Sequence, residues 1–331
     1  DRDWLVVDVT TKDGHTLGQD TMQVCDPDRI STYVCTKDPY RRWEFRLNPG
    51  ETDEQMLDPE MIKSLIDPWT PRGTYEIRRA AVYQFHAATA DQWRNGNIFI
   101  AGDAAHQTPP FLGQGMNIGM RDVINLAWKL PLVLHGLAGD QLLDTYYGER
   151  NAHAHDLVDW AVAIGRLMEH LAEVERCRRE GLPAPLESAQ LKSSGYGQGR
   201  EQPPIREGAV LLDQVSDDGS TGYLLSQPIV ENAAGERFRF DEMLGPGIAI
   251  ITRNAESEKL SKNSRLVVER LKINFASTFG LKAVQGHFDR LFEKNEAAII
   301  RPDRIVFGHT TKNLSLDELI GLLAKSLCLN L

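Results

Sequence analysis

One stretch of this sequence limits the possible folds more than any other: a short apolar segment that runs directly into a glycine-rich turn. The segment is NIFIA at 97–101, and Gly102 and Asp103 follow it at once. Beyond the turn, hydrophobic residues recur at the spacing of an α-helix, which predicts one buried helix face. That predicted face consists of Met116, Met120, Val123, Ile124, Ala127 and Leu130. The order strand, turn, helix indicates an α/β domain.

The residue types around the turn suit a flat ligand that carries sugar-like hydroxyl groups. A carboxylate at a strand end, here Asp103, accepts hydrogen bonds from such hydroxyls. Gly113 and Gly115 have no side chains, so the backbone is able to approach a flat ring closely. The helix that follows points N–H groups carrying about half a positive charge toward the same place. These features favour a ring that gains negative charge when it is reduced.

Residues 96–130 resemble the second flavin-binding motif of the single-component, FAD-dependent aromatic hydroxylases. The similar parts are the Gly-Asp turn, Pro109-Pro110, the Gly-x-Gly loop and the run NLAWKL at 125–130. The resemblance implies FAD as the cofactor, with Asp103 on the ribityl chain and the later loop on the isoalloxazine. The residues it assigns to FAD are Gly102, Asp103, Gly113, Gln114, Gly115, Met116 and Asn117. It also implies a catalytic contact between the Pro110 carbonyl and the substrate hydroxyl.

Residues 108–116 (TPPFLGQGM) resemble the 3-(3-hydroxyphenyl)propionate hydroxylases within that family. This implies a phenolic aromatic acid as substrate, O2 as oxidant and NADH or NADPH as co-substrate. Tyr83 and Phe85 alternate on one predicted strand face and are candidates for the aromatic pocket, with ordinary sheet core as the alternative. Two other functions stay open: a polyketide-type aromatic hydroxylase, and a non-catalytic remnant that only dimerises.

Family members also carry a G-x-G-x-x-G turn for the ADP part of FAD, and the printed sequence contains no such turn. On this ground the chain is expected to be the C-terminal portion of a hydroxylase that lacks the N-terminal FAD-binding segment. It would then hold half of the FAD site, bind FAD weakly or not at all, and be inactive alone.

A stretch rich in Gly, Pro, Ser and Gln divides the sequence into parts. It predicts a partial FAD- and substrate-binding monooxygenase domain at 1–180, a linker at 181–204 and a second domain at 205–331. The first domain is expected to be α+β with a mixed sheet. Its predicted strands lie at 4–10, 43–47 and 75–87, and helical spacing appears at 53–66 and, as one or two helices, at 142–171. Trp43 and Phe45 alternate with charged residues, which predicts a half-exposed strand, and a last amphipathic helix is expected at 315–327. The second has α/β alternation and resembles the thioredoxin-like tail of larger family members at 241–247 (DEMLGPG). In the family this tail supports a homodimer.

Charge and composition exclude several classes of partner. The 37 Lys+Arg against 47 Asp+Glu give a formal charge of -10, so nucleic acid would be repelled. No run approaches the roughly 18 apolar residues of a membrane span, and the first residues do not form a signal segment, which predicts a cytoplasmic protein. The scattered cysteines predict no metal site and no disulfide scaffold; they are Cys25, Cys35, Cys177 and Cys328.

Overall fold

The computed structural model describes residues 2–12, 18–185, 203–215, 219–254, 260–288, 292 and 296–330. The chain forms two compact units. The first comprises the described residues of 1–89, 106–115 and 157–200, and the second those of 90–105, 116–156 and 201–331. Each unit is therefore assembled from segments that are distant in sequence. Most of the predicted linker at 181–204 lies outside the described residues.

The first unit is built on a five-stranded antiparallel sheet. Its strands are β1 (Arg2–Thr11), β2 (Met22–Cys25), β3 (Ile30–Cys35), β4 (Tyr40–Arg46) and β5 (Tyr75–Phe85). They lie in the order β2-β3-β4-β1-β5, so the first strand of the chain occupies an inner position. Hydrogen bonds on both edges of β1 fix its register, and the register determines which side chains share a face.

One face of this sheet forms an apolar interior. Two short helices cover it, α1 (Asp53–Met56) and α2 (Pro59–Ile66). The Asp58 side chain caps α2 by accepting hydrogen bonds from the backbone N–H groups of Glu60 and Met61, with Pro59 at the first helical position. The interior consists of Leu5, Val7, Val9, Tyr33, Trp43, Phe45, Met56, Ile62, Ile66 and Tyr75. Burial of this apolar area is the main stabilising contribution to the unit.

The opposite face carries a second cluster. In the strand register Trp4 lies opposite Arg46 on one side and opposite Tyr83 on the other, so these three side chains share a face. Trp4 is 2% exposed and packs with Phe85, Phe111 and a helical segment of the same unit. This face therefore combines aromatic rings with a cationic side chain.

Several short strands and two long helices lie between residues 88 and 180. The strands are β6 (Ala88–Thr89), β7 (Arg94–Asn95), β8 (Ile98–Phe99) and β9 (His106–Gln107). The helices are α3 (Gly115–Leu134) and α4 (Gln141–Glu180). The strand predicted at 97–101 is thus only two residues long. Among the described residues, no helix is both long and apolar enough to cross a bilayer.

The predicted buried face of α3 is wrong. Met116, Met120, Val123 and Ile124 are 70%, 51%, 55% and 50% exposed. The residues of α3 that are buried are instead Ile118, Asp122, Asn125 and Lys129. The reason is chemical: three of these four side chains are polar and find charged partners inside the second unit, so hydropathy alone misassigns the inner face.

The second unit contains a four-stranded mixed sheet in its C-terminal part. Its strands are β12 (Ala249–Thr252), β13 (Asn274–Ser277), β15 (Ala297–Ile300) and β16 (Val306–His309), in the order β13-β12-β15-β16. β12 and β13 are parallel, while the other pairs are antiparallel. Two helices, α5 (Lys262–Leu271) and α6 (Leu316–Ser326), pack on one face. A separate small sheet has the order β11-β10-β14, formed by β10 (Ile229–Glu231), β11 (Arg237–Arg239) and β14 (Lys282–Gln285).

Most predicted elements are present. The strands expected at 4–10, 43–47 and 75–87 are β1, β4 and β5, and the helices expected at 142–171 and 315–327 are α4 and α6. The single helix expected over 53–66 is two helices, because the capping side chain of Asp58 and the ring of Pro59 start a new one. The half-exposed pattern expected at Trp43–Phe45 is only partly correct, since Glu44 between them is also buried.

Candidate functional site

The Gly-Asp turn lies in the second unit and is held tightly. Gly102 has a φ of 60°, a left-handed conformation that favours glycine. Its backbone N–H donates to Oδ2 of Asp122 at 3.1 Å. A Cβ atom added to Gly119 would lie 3.1 Å from the Gly102 Cα, so the turn and the helix make a close backbone contact there. The turn is therefore fixed by packing and by one buried carboxylate.

Asp103 follows in the same turn and is solvent-exposed. Met116 and Asn117, in the first turn of α3, are exposed as well. Side chains placed in this way are open to a ligand from outside. The acceptor chemistry of Asp103 suits the ribityl hydroxyl groups of a flavin, so these residues fit the cofactor that the sequence motif implies.

The proline-glycine loop lies in the first unit. Pro110–Leu112 form a single 3-10 turn that ends at Gly113, whose φ is 60°. The Gly113 N–H donates to the Pro110 carbonyl oxygen at 2.7 Å. A carbonyl oxygen has two lone pairs, so the Pro110 oxygen keeps one for a ligand hydroxyl. A Cβ atom on Gly115 would lie 3.3 Å from Thr108 Cγ2, so a larger residue there would require the Thr108 side chain to shift by a few tenths of an ångström.

A cavity of about 310 Å³ lies beside this loop, within the first unit. Three aromatic rings, those of Trp4, Phe85 and Phe111, form its walls. The ring centroids of Trp4 and Phe111 are 5.3 Å apart in an edge-on arrangement, which aromatic pairs favour. Gly165 makes room for the Phe111 ring, because a Cβ atom there would lie 2.9 Å from Cε2 of that ring. The cavity is therefore shaped for a flat, apolar group.

Two cationic side chains line the same cavity. Arg46 pairs with Glu169 at 3.0 Å, and Arg166 is exposed at the rim. Two positive charges against one negative charge leave an excess of one positive charge beside the aromatic walls. Such a lining suits a molecule with an aromatic body and an acidic group.

The two predicted substrate residues differ in position. Phe85 lines the cavity, whereas Tyr83 is not among its lining residues. Tyr83 stacks on Phe85 with ring centroids 6.3 Å apart, and the Arg79 guanidinium lies 5.3 Å from the Tyr83 ring centre. Tyr83 thus contacts the cavity residue Phe85 without lining the cavity itself. Sequence reasoning missed Trp4, Arg46 and Arg166, because strand register and tertiary packing alone bring them to one cavity.

Sequence reasoning also missed a buried charged network in the second unit. Glu149 is fully buried; its Oε2 accepts from Arg301 Nη2 at 2.6 Å and pairs with Lys129 Nζ at 3.0 Å. Burial alone would raise the pKa of Glu149, but the two cations outweigh it and hold the pKa well below its usual range. Burial lowers the pKa of Lys129 to about 8, against the attraction of Glu149. The one signal in the sequence is the spacing of Asp122, Asn125 and Lys129 on one helix face.

Two family models match this chain. A model of the FAD binding domain family matches residues 4–161, and a model of the HcaD C-terminal domain family matches 222–325. The first match assigns residues 4–161 to the FAD binding domain family, and FAD is the cofactor that such a domain binds. The expectation that the chain lacks its N-terminal FAD-binding segment is thereby corrected: an FAD-binding domain lies at the N-terminus of this chain.

Two curated relatives are hydroxylases of aromatic acids. The 3-(3-hydroxy-phenyl)propionate/3-hydroxycinnamic acid hydroxylase 2 of Burkholderia vietnamiensis (strain G4 / LMG 22486) is 34% identical over 334 residues, covering 93% of this chain and 60% of the relative. The hydroxylase of the same substrates from Klebsiella pneumoniae (strain 342) is 36% identical over 253 residues, covering 75% and 45%. The chain thus spans about half the length of the curated relatives it matches.

Two solved structures are similar in fold to this chain. A complex of aklavinone-11 hydroxylase with FAD and aklavinone has a TM-score of 0.71 and 25% identity, covering 98% of this chain and 62% of that one. The flavin-dependent monooxygenase PieE, solved with FAD and substrate, has a TM-score of 0.74 at 20% identity and covers 98% and 65%. The second likeness concerns the fold alone.

Proposed function

We propose that this chain is the flavin- and substrate-binding part of an NADH- or NADPH-using monooxygenase that hydroxylates a phenolic aromatic acid such as 3-(3-hydroxyphenyl)propionate. The observation that carries the proposal is the cavity walled by Trp4, Phe85 and Phe111 and bordered by Arg46 and Arg166. Aromatic walls hold a phenyl ring, and an excess of positive charge holds a carboxylate. The relatives named for such acids support the same substrate class.

In the proposed reaction one oxygen atom of O2 is inserted into the ring C–H bond next to the phenol carbon, which forms a new hydroxyl group, and the other takes up two electrons and two protons and leaves as water. NADH or NADPH supplies the two electrons, and FAD, when bound, relays them to O2. The role of the chain is to bind the cofactor and the substrate and to orient them. Asp103 would accept hydrogen bonds from the ribityl hydroxyls of FAD, and the Pro110 carbonyl would accept from the substrate hydroxyl. The residues that would hold the flavin ring are Gly113, Gln114, Gly115, Met116 and Asn117, with Gly102 at the strand end.

Phe85 and Tyr83 take different parts in this proposal. Phe85 contacts the substrate ring, whereas Tyr83 holds the ring of Phe85 in place by stacking on it. The packed walls also exclude water from the ring that reacts. The printed sequence contains no G-x-G-x-x-G turn for the FAD pyrophosphate, so we infer that the 331 residues alone do not complete the reaction.

A polyketide-type hydroxylase is the second candidate, because the aklavinone-11 hydroxylase complex is 25% identical to this chain. The size of the cavity favours the first candidate. At about 310 Å³ it lies near the lower end of ligand pockets, which span about 300–1,000 Å³. A single-ring acid fits such a space better than a substrate of several fused rings.

We also infer two domains, 1–180 and 205–331, and a thioredoxin-like fold for the second. The strand order β13-β12-β15-β16 supports this fold, since its parallel pair flanks α5 and its antiparallel pair leads into α6. Cys328 is the single cysteine after residue 205, so a dithiol function is excluded from the inferred domain. A homodimer through this domain, rather than a redox reaction, is its proposed role.

Calorimetry tests the substrate class directly. The 331-residue chain is titrated with 3-(3-hydroxyphenyl)propionate, and Phe111→Ala is compared with Phe275→Ala, a control at a ring that is 40% exposed in the second unit. Loss of the Phe111 wall should weaken binding by about tenfold, since ring contacts contribute about 0.5–1.5 kcal/mol beyond the area they bury. The control should bind like the wild type. No binding by the wild type, or equal binding by both variants, would show that the cavity is not the substrate site.

A further inference from the structure

A second cavity, of about 450 Å³, lies entirely within the second unit. Its apolar wall is formed by Ile124, Ile205 and Leu224. Its other side carries three guanidinium groups, those of Arg121, Arg150 and Arg304. The cavity shares no lining residue with the aromatic cavity of the first unit, so it is a separate feature of the chain.

Arg150 lines this space and has one side-chain donor without a partner among the described residues. The side chain is buried, and its Nε donates to Oδ1 of Asp122 at 2.9 Å. Its Nη2 has no hydrogen-bond partner among the residues that the structure describes. An arginine cannot lose its proton to relieve this, so the N–H group retains a strong preference for an acceptor.

Arg304 also has a side-chain donor without a partner among the described residues. Its Nε donates to the Asp241 carboxylate, and its Nη2 donates to the Gly245 carbonyl oxygen at 2.7 Å. Its Nη1 is buried and, within the described part of the chain, has no partner. Arg304 also has a φ of 63°, a conformation that non-glycine residues rarely adopt. The loop therefore keeps a bulky cation at a position where the backbone favours glycine.

The carboxylates of the cavity do not accept from these two N–H groups. Asp241 is paired with Arg304, and both oxygens of Asp303 accept from Arg301, at 3.0 Å and 2.6 Å. Burial and the neighbouring Arg150 guanidinium lower the pKa of Arg121, as expected where two cations lie close together in a space of low polarity. An anion in the cavity would relieve this repulsion.

We propose that this cavity binds a small organic acid, with its carboxylate on the free N–H groups of Arg150 and Arg304 and its apolar body against Ile124, Ile205 and Leu224. Two N–H donors match the two oxygens of a carboxylate, and the apolar wall distinguishes an organic acid from an inorganic anion. The inference is independent of the proposed hydroxylase activity, because it uses none of the residues assigned to flavin or substrate.

Three probes separate the parts of this proposal by calorimetry on the 331-residue chain. Hexanoate carries both the charge and the apolar body, acetate carries only the charge, and hexanol carries only the body. Hexanoate should bind at least about tenfold more tightly than either of the others, because both sets of contacts contribute. Equal binding of hexanoate and hexanol would overturn the role of the arginines.

Substitutions in the cavity test whether hexanoate binds there. Leu224→Trp should fill the cavity and abolish hexanoate binding, and because Leu224 is 53% exposed the change should leave the fold intact. Leu266→Trp, at a leucine that is 43% exposed on α5, is the matched control and should bind normally. Arg304→Gln should weaken hexanoate about tenfold or more. If hexanoate gave no heat with the wild type, or bound Leu224→Trp as well as the wild type, the proposal would be wrong. Loss of binding in Phe111→Ala alone would assign hexanoate to the other cavity and refute it equally.

Discussion

Two buried regions, one in each unit, have opposite chemistry. In the first, the sheet interior is apolar: Leu5, Val7 and Trp43 are all 0% exposed and contact one another. In the second, Lys129 and Glu149 are equally buried, yet both are charged. The difference shows that burial and hydropathy are separate properties. A polar side chain is stably buried when its partner is buried with it.

The largest expected effect comes from breaking this network at one side chain. Asp122→Ala removes the acceptor of both Gly102 N–H and Arg150, leaving a buried cation without its carboxylate. We expect a loss of about 3–5 kcal/mol in the free energy of unfolding, measured by chemical denaturation. Val123→Ala, at the next residue but 55% exposed, should change it by less than about 0.5 kcal/mol. Similar losses in the two variants would contradict the assignment of the buried face of α3.

A smaller effect is expected when the free energy of unfolding of Lys129→Met is compared with that of the wild type as a function of pH. Burial lowers the pKa of Lys129 to about 8, whereas an unfolded lysine has a pKa of about 10.4. Between these values the unfolded chain holds more protons, so raising the pH stabilises the folded chain. Relative to the variant, the wild type should gain about 3 kcal/mol of unfolding free energy across this interval. Parallel stability curves for the two proteins would show that Lys129 keeps its ordinary pKa.

The smallest effect is expected in the apolar interior. Leu5→Met keeps the volume and the polarity of a side chain that is 0% exposed, so its cost in unfolding free energy should stay below about 1.5 kcal/mol. Thermal denaturation followed by circular dichroism provides the measurement. A cost as large as that of Asp122→Ala would mean that the sheet interior is as intolerant of substitution as the charged network.

The same contrast explains what the sequence predicts well. The alternation of Trp43 and Phe45 identifies the inner face of β4, because aromatic residues two positions apart in a strand lie on the same face. The apolar stripe of α3 gives the wrong face, since Asp122, Asn125 and Lys129 turn inward instead. Asn125 and Lys129 both contact Glu149, which also pairs with Arg301, 152 residues further along the chain, and no local pattern relates two such positions.

The residues of the candidate site also differ in whether the sequence predicts them. Gly102, Asp103 and the Gly113–Gly115 loop stand out in the sequence, because turns and close approaches require particular residue types locally. Trp4, Arg46 and Phe111 do not, since each looks like an ordinary strand or loop residue. Strand register places Trp4 opposite Arg46, and packing across Gly165 adds Phe111. A cavity formed in this way becomes visible in three dimensions only.

The most direct test of the account is the affinity of FAD for Asp103→Ala, measured by equilibrium dialysis of the 331-residue chain. Hydrogen bonds to a carboxylate contribute about 1.5–3 kcal/mol each, so loss of Asp103 should weaken FAD by about tenfold or more. Asp91→Ala, which removes another exposed carboxylate from the same unit, should bind FAD like the wild type. Equal affinity in the wild type and Asp103→Ala would contradict the placement of the flavin at this turn.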